Sequence, residues 1–141
     1  FSINASGLTA ERYRMDVISE NIANIDTTRT EDGTPYRRKL VTFEEKGKNG
    51  TFASALAKAK GDYIGGGVRV GKTYEDTETE MKMVYDPSHP DADENGYVTY
   101  PNVNVITEMT DLIDASRSYE ANATAFSASK SMAVKGLEMA Q

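Results

Sequence analysis

Apolar positions recur along the final 38 residues, Asn104 to Gln141, at the spacing of a helix that packs along its length. One line (Val105, Leu112, Tyr119, Phe126, Ala133, Ala140) is apolar at every seventh residue. A second line, offset by four, reads Met109, Ser116, Ala123, Lys130 and Leu137. Together they form the a/d pattern of a coiled-coil seam over about five heptads, with the second line weak. The stretch holds no proline and one glycine, Gly136. Asn104 is placed to cap it, with Glu108 near the positive end of the helix dipole and Lys130 and Lys135 towards the negative end. The pattern predicts one long helix over 104–141. At its full length it spans ~57 Å, whereas a compact globule of this chain length is roughly 40 Å across. Such a helix either breaks or lies along something larger than one subunit.

The start of the chain mirrors its end. Phe1, Ala5, Leu8, Met15, Ile18, Ile22 and Ile25 follow the 3-4 spacing of an amphipathic helix, interrupted once by Glu11 and Arg12. Asp26-Thr27-Thr28 ends the pattern, because these side chains compete for backbone hydrogen bonds. Neither terminal segment can bury its seam alone, so the two are expected to pack on each other. Alanines and serines on several faces of the closing segment, Ala115, Ser116, Ala123 and Ala128 among them, favour helices sandwiched among several neighbours over a simple hairpin.

Between them the signals are those of strands. Pro35 to Glu45 alternates loosely, Val68 to Tyr74 and Met81 to Tyr85 read as half-buried strands, and Tyr97 to Tyr100 as a short one. An alanine-rich run at 52–60 suggests a short helix, and Gly65-Gly66-Gly67 a flexible joint. The expected fold is therefore mainly α with a small β insert. Its long N- and C-terminal helices (1–28 and 104–141) pack as a coiled coil or helical layer, with a β-rich segment at 29–103 and a variable loop at 44–67.

Composition narrows the function classes. The 141 residues are 38% hydrophobic, without tryptophan or cysteine, which excludes disulfides and thiolate metal sites. The net charge of −6 is spread along the chain, which gives no basic face for nucleic acid. Arg37-Arg38-Lys39, the one dense basic cluster, reads as a solvated strand face. No apolar run approaches the ~18 residues of a membrane span, so no membrane insertion is expected. No secretory signal is visible, and the chain starts at Phe1, so some native start is expected to be missing.

Three motifs carry the letters of known chemistry. Gly66 to Thr73 matches the phosphate-loop letters, but Val68 and Val70 favour extended backbone and no phosphate-binding helix follows. Asp91 to Gly96 matches half of a calcium loop but lacks the twelfth-position glutamate, that place being Asn102. His89, the only histidine, has no nucleophile arranged with it and reads as a solvated loop residue. No enzyme reading survives, and neither a cofactor nor a metal is expected.

Several stretches resemble the axial proteins of the bacterial flagellum, the rod and hook family. Ser19-Glu20-Asn21-Ile22-Ala23-Asn24-Ile25-Asp26-Thr27 resembles their N-terminal signature, and Pro35-Tyr36-Arg37-Arg38-Lys39 the segment just beyond it. Val84-Tyr85-Asp86-Pro87, Asn95-Gly96-Tyr97-Val98, Pro101-Asn102-Val103, Ala115 to Asn122 and Lys130-Ser131-Met132 are similar to the proximal rod subunits of that family. A distal rod subunit is the alternative within the class, and a nucleotide-binding protein using Gly66–Thr73 a remoter one.

The resemblance implies a structural subunit of the proximal rod, the drive shaft of the basal body. It implies that copies stack helically, transmit torque and line the export channel. Expected partners are further copies, other rod proteins, the membrane ring or export gate at the rod base, and the flagellar type III apparatus, which exports the chain without a cleaved signal. The helix-packing surface expected to carry assembly comprises Leu8, Met15, Ile18, Asn21, Ile22, Asn24 and Ile25 of the first segment. Met109, Leu112, Ala115, Tyr119, Asn122, Ala123, Phe126 and Leu137 supply the second. Ends that bury little alone are expected to order on assembly.

Overall fold

The computed structural model describes residues 2–45, 56 and 67–140. Helix α1 runs Ser2–Ala23, followed by strands β1 (Lys39–Glu45), β2 (Val68–Glu75), β3 (Lys82–Tyr85) and β4 (Tyr97–Tyr100), then helix α2 (Val105–Met139). β1 pairs with β2 and β3 with β4, giving two two-stranded sheets among the described residues. The fold is thus two terminal helices with a small strand region between them. The short helix expected at 52–60 lies outside the described residues, apart from Leu56, as does most of the glycine triplet.

The helix ends follow from local chemistry. Asn104 caps α2: its Oδ1 accepts the Ile106 and Thr107 amides at 3.0 and 3.3 Å, two donors that the first turn leaves unpartnered. α1 closes where Asn24 donates from Nδ2 to the Glu20 carbonyl at 2.9 Å and accepts the Thr27 hydroxyl at 3.1 Å.

Two compact units form. The first gathers Phe1–Arg14, Thr42–Lys72 and Ala115–Gln141; the second gathers Met15–Val41 and Thr73–Asp114. In the first, Asn4 donates to Ser129 at 3.3 Å. A Cβ on Gly7 would stand 2.7 Å from the end of the Asn122 side chain, so glycine here lets that amide lie directly against α1. Ser6 Oγ accepts the Val68 amide at 3.1 Å and ties the start of β2 to α1.

In the second unit β3 and β4 run antiparallel, pairing Lys82 with Tyr100, Met83 with Thr99, Val84 with Val98 and Tyr85 with Tyr97. Alternation puts Val84 and Val98 on one face, Val98 fully buried, and Met83, Tyr85, Tyr97 and Thr99 on the other. Every residue of β3 is exposed, contrary to the half-buried strand expected of Met81 to Tyr85. Met83 and Tyr85 face outward, and Val84, on the face of buried Val98, is still 38% exposed. The hairpin turns at Gly96, whose φ is +84° and whose Cβ would meet the Tyr85 ring at 2.9 Å.

β2 departs from expectation in a related way. Val68 to Gly71 are half-buried and Lys72 to Glu75 exposed, so burial changes along the strand and not from face to face.

Candidate assembly surface

The second unit is held by a polar core that hydropathy does not show. Asn21, 1% exposed, has all four hydrogen-bonding positions filled. Its Oδ1 accepts the Tyr36 hydroxyl at 2.7 Å and the Lys39 amide at 2.9 Å, while Nδ2 donates to the Lys39 carbonyl at 2.9 Å and to Glu108 at 3.2 Å. Asn102 does the same for the neighbouring residue. It accepts the Arg38 amide at 2.8 Å and donates to the carbonyls of Asp76 and Thr79. Two asparagine side chains therefore stand in for strand partners at the start of β1.

Arg38 is the centre of this core. Its Nε donates to Glu108, and its two terminal nitrogens lie 3.5 Å from Asp76 and 3.4 Å from Asp111. The expectation of a solvated Arg37-Arg38-Lys39 face is wrong for Arg38. β1 is half-buried from Lys39 to Thr42 and exposed only from Phe43, so the basic cluster enters the unit at the buried end. Burial works against the guanidinium charge, but Glu108, with Asp76 and Asp111, offsets it and the proton is held more tightly than usual. The Thr79 hydroxyl, then the Thr79 and Glu78 amides, hold the Asp76 carboxyl down to about 2 against the opposing effect of burial. Tyr36 is pushed upward by burial, then by the charges of Glu20, Glu108 and Glu75.

In the first unit the interruption of the apolar stripe at Glu11 has a physical counterpart. Glu11 is buried and its Oε2 has no hydrogen-bond partner; Arg14 stands 3.6 Å away. Burial raises its carboxyl and Arg14 only partly counters this. A raised carboxyl favours the fold when protonated, so its cost appears as pH rises through the folded-state value. Glu11→Gln is expected to raise stability at pH 7 by about 1 kcal/mol. The gain should vanish below the ordinary Glu range, and melting temperatures of both forms from pH 3 to 8 check this. A pH-independent difference would refute the assignment.

The expected assembly residues divide. Ile18, Asn21 and Ala115 are buried within their own chain. Leu8, Met15, Ile22, Asn24, Ile25, Leu112, Tyr119, Asn122, Ala123 and Phe126 are half-buried. Met109 and Leu137 are exposed. The reading missed Ile106 and Ile113, which with Met109 form an exposed i, i+3, i+7 stripe on α2, while Glu108 and Ala115 turn inward. It also missed that every residue from Lys130 to Ala140 is exposed, Met132, Val134, Leu137 and Met139 included.

The weighed motifs resolve into local structure. Val68 to Thr73 lie in extended strand β2, not in a loop that curls its amides round a phosphate. Asp93 accepts the amides of Asn95 and Tyr97, both at 2.9 Å. Asp91 accepts the Thr28 hydroxyl at 2.6 Å and pairs with Arg29; the Thr28 bond, then Arg29, lower its carboxyl. His89 is half-buried, not solvated: Nδ1 accepts the Asp91 amide at 3.0 Å and its ring meets Tyr100 edge-on. Among the described residues no helix is long and apolar enough to cross a membrane.

Comparison with known proteins agrees with this architecture. The family model for flagella basal body rod proteins matches residues 1–29, and that for the C-terminal part of the flagellar basal body rod FlgEFG proteins matches 94–139. These cover α1 and the region from the β3–β4 turn through α2. The flagellar basal-body rod protein FlgC of Bacillus subtilis is 47% identical over 98% of this chain and 94% of its own length. That of Borreliella burgdorferi is 46% identical over 99% and 95%, and that of Salmonella typhimurium 40% over 100% and 96%. With two terminal helices, a small strand region and near full-length identity to these proteins, the chain belongs to the FlgC family of flagellar basal-body rod proteins.

Proposed function

We propose that this rod subunit assembles helically in the proximal rod, its terminal helices forming an inner layer that lines the export channel and its strand region lying outside. The single observation that carries the reading is the exposure of large apolar side chains on α2. Ile106 is 74% exposed and Ile113 54%, beside the inward-turned Glu108 and Ala115, and Met139 is 88% exposed in a last segment that is exposed throughout. A helix apolar on several sides belongs among several neighbours. Leu112, Tyr119 and Phe126 on one side, with the outward stripe on the other, are the residues through which α2 would pack in a coiled-coil-like layer.

A surface that meets a different surface on the next copy does not close on itself and grows as a filament. Such a filament, tied by close helix packing, carries torque along its axis. Neighbouring copies, other rod proteins and the ring or export gate at the rod base are its partners. The exposed end of α2 finds its packing partners only among them, so that surface stays open until the type III apparatus has delivered the chain to the rod.

Mass spectrometry of detergent-extracted basal bodies, stripped with salt and acid, tests the placement. The chain is expected to remain with the particles. Its loss to the wash, with a folded monomer in the soluble fraction, would end the reading.

A further inference from the structure

The second unit carries a groove of about 710 Å3 between the end of α1, the loop at 30–37 and β4. That volume falls in the ~300–1,000 Å3 range of ligand-binding clefts. Its walls include Tyr36, Met81 and Thr99, and its rim carries Glu31, Asp32 and Glu75. Two cations also line it, but Lys39 is engaged by Glu20 at 2.7 Å, leaving Arg37. Among the described residues none of Glu31, Asp32 and Glu75 forms an ion pair. The groove is therefore mixed in polarity and uncompensated in negative charge.

A segment of opposite character lies on the same chain. Lys130 to Ala140 of α2 is exposed at every position. It carries Lys130 and Lys135 against the single acid Glu138, together with exposed Met132 and Leu137. The segment thus carries a net charge of +1 on a chain of net charge −6 and is exposed at every position. Three helical turns are ~16 Å long.

We propose that the acidic groove of the second unit receives the last three turns of α2 of a second copy of this chain. This rests on the reading of the chain as a self-assembling subunit and names one of its contacts. Lysines 130 and 135 meet the carboxylates of the rim, while Met132 and Leu137 cover Met81 and Pro35. Charge complementarity of this kind sets register and partner more than it adds affinity.

The absence of cysteine allows a clean test. Two full-length variants, Asp32→Cys and Lys135→Cys, are mixed under assembling conditions and oxidised. A disulfide between unlike chains can only join the groove of one copy to the tail of another. That heterodisulfide is expected to exceed random pairing. Adding Glu75→Lys to the groove chain should lower its yield roughly tenfold, and adding Lys130→Glu to the tail chain should restore it.

Random pairing, a dominant groove-to-groove homodimer, or indifference to the charge swap would each overturn the proposal. If the mixture sediments as assemblies without the heterodisulfide, the contact is wrong and the subunit reading stands. If it forms no assemblies and the chain is also absent from basal bodies, both fall.

Discussion

Arg38→Ala is expected to cost ~3–5 kcal/mol of stability, the largest effect of any single substitution in the second unit. The guanidinium serves Glu108, Asp76 and Asp111 at once, and Glu108 is 1% exposed. Truncation leaves three carboxylates facing one another without a cation, and water cannot reach the deepest of them. Urea unfolding at pH 7 measures the loss. The pH dependence identifies its cause.

In the parent protein, Asp76 has a depressed carboxyl. Its contribution is present above the ordinary 3.8 and is lost as pH falls towards about 2. In Arg38→Ala the clustered carboxylates repel, their protonation is favoured, and stability should rise as pH falls from 7 to 5. Adding Glu108→Gln should recover part of the loss at pH 7, because one of the three charges is removed. A variant whose stability falls monotonically with acid would show that packing, not charge, is what Arg38 supplies.

Ile113→Asp should leave the isolated chain intact and abolish its assembly. The side chain is 54% exposed, and substitutions at such surface positions change stability by about 0.5 kcal/mol or less. On the proposed packing of the outward stripe (Ile106, Met109, Ile113) against a neighbouring copy, burying a carboxylate there without a partner costs at least ~2 kcal/mol per contact. Repetition at every subunit multiplies the effect. Circular dichroism and melting temperature should match the parent, while cells carrying only the variant should be non-motile and yield no basal bodies with a rod. Normal swimming would show that the stripe faces solvent in the assembly. Ile113→Leu, which keeps the apolar surface, is the control.

Local chemistry was legible in the residues. The cap at Asn104, the closing turn around Asn24, strand β4 and the length of α2 all depend on neighbours within a few positions. The polar core was not. Arg37-Arg38-Lys39 has the composition of a charged surface, and Glu108 fits a dipole-favoured position equally well. That Arg38 reaches Glu108 is a fact about residues 70 apart. The heptad pattern places a seam on α2, but neither of its lines holds Glu108 or Ala115, the residues buried in the first turns, and two apolar stripes compete there: Val105, Met109, Leu112 and Ile106, Met109, Ile113. Which one turns outward is decided by where Glu108 and Ala115 are buried, and no periodicity within one helix contains that information. One signal was present and unread: the break in the α1 stripe at Glu11 marks a buried carboxyl, not an exposed one.

The Asn21 network also sets a timetable. Its amide bonds Lys39 only 18 residues later, but the Glu108 bond waits for a residue 87 further along the chain. A nascent or threading chain that has released only α1 and β1 holds an arginine with no carboxylate from α2 and an asparagine missing one acceptor. A contact of that sequence separation carries a loop-closure cost that the local helix contacts do not. The last partners of Asn21 and Arg38 come with the first turns of α2. A restraint that keeps residues 105–111 away leaves Asn21 and Arg38 without their α2 partners and the polar core of the second unit incomplete.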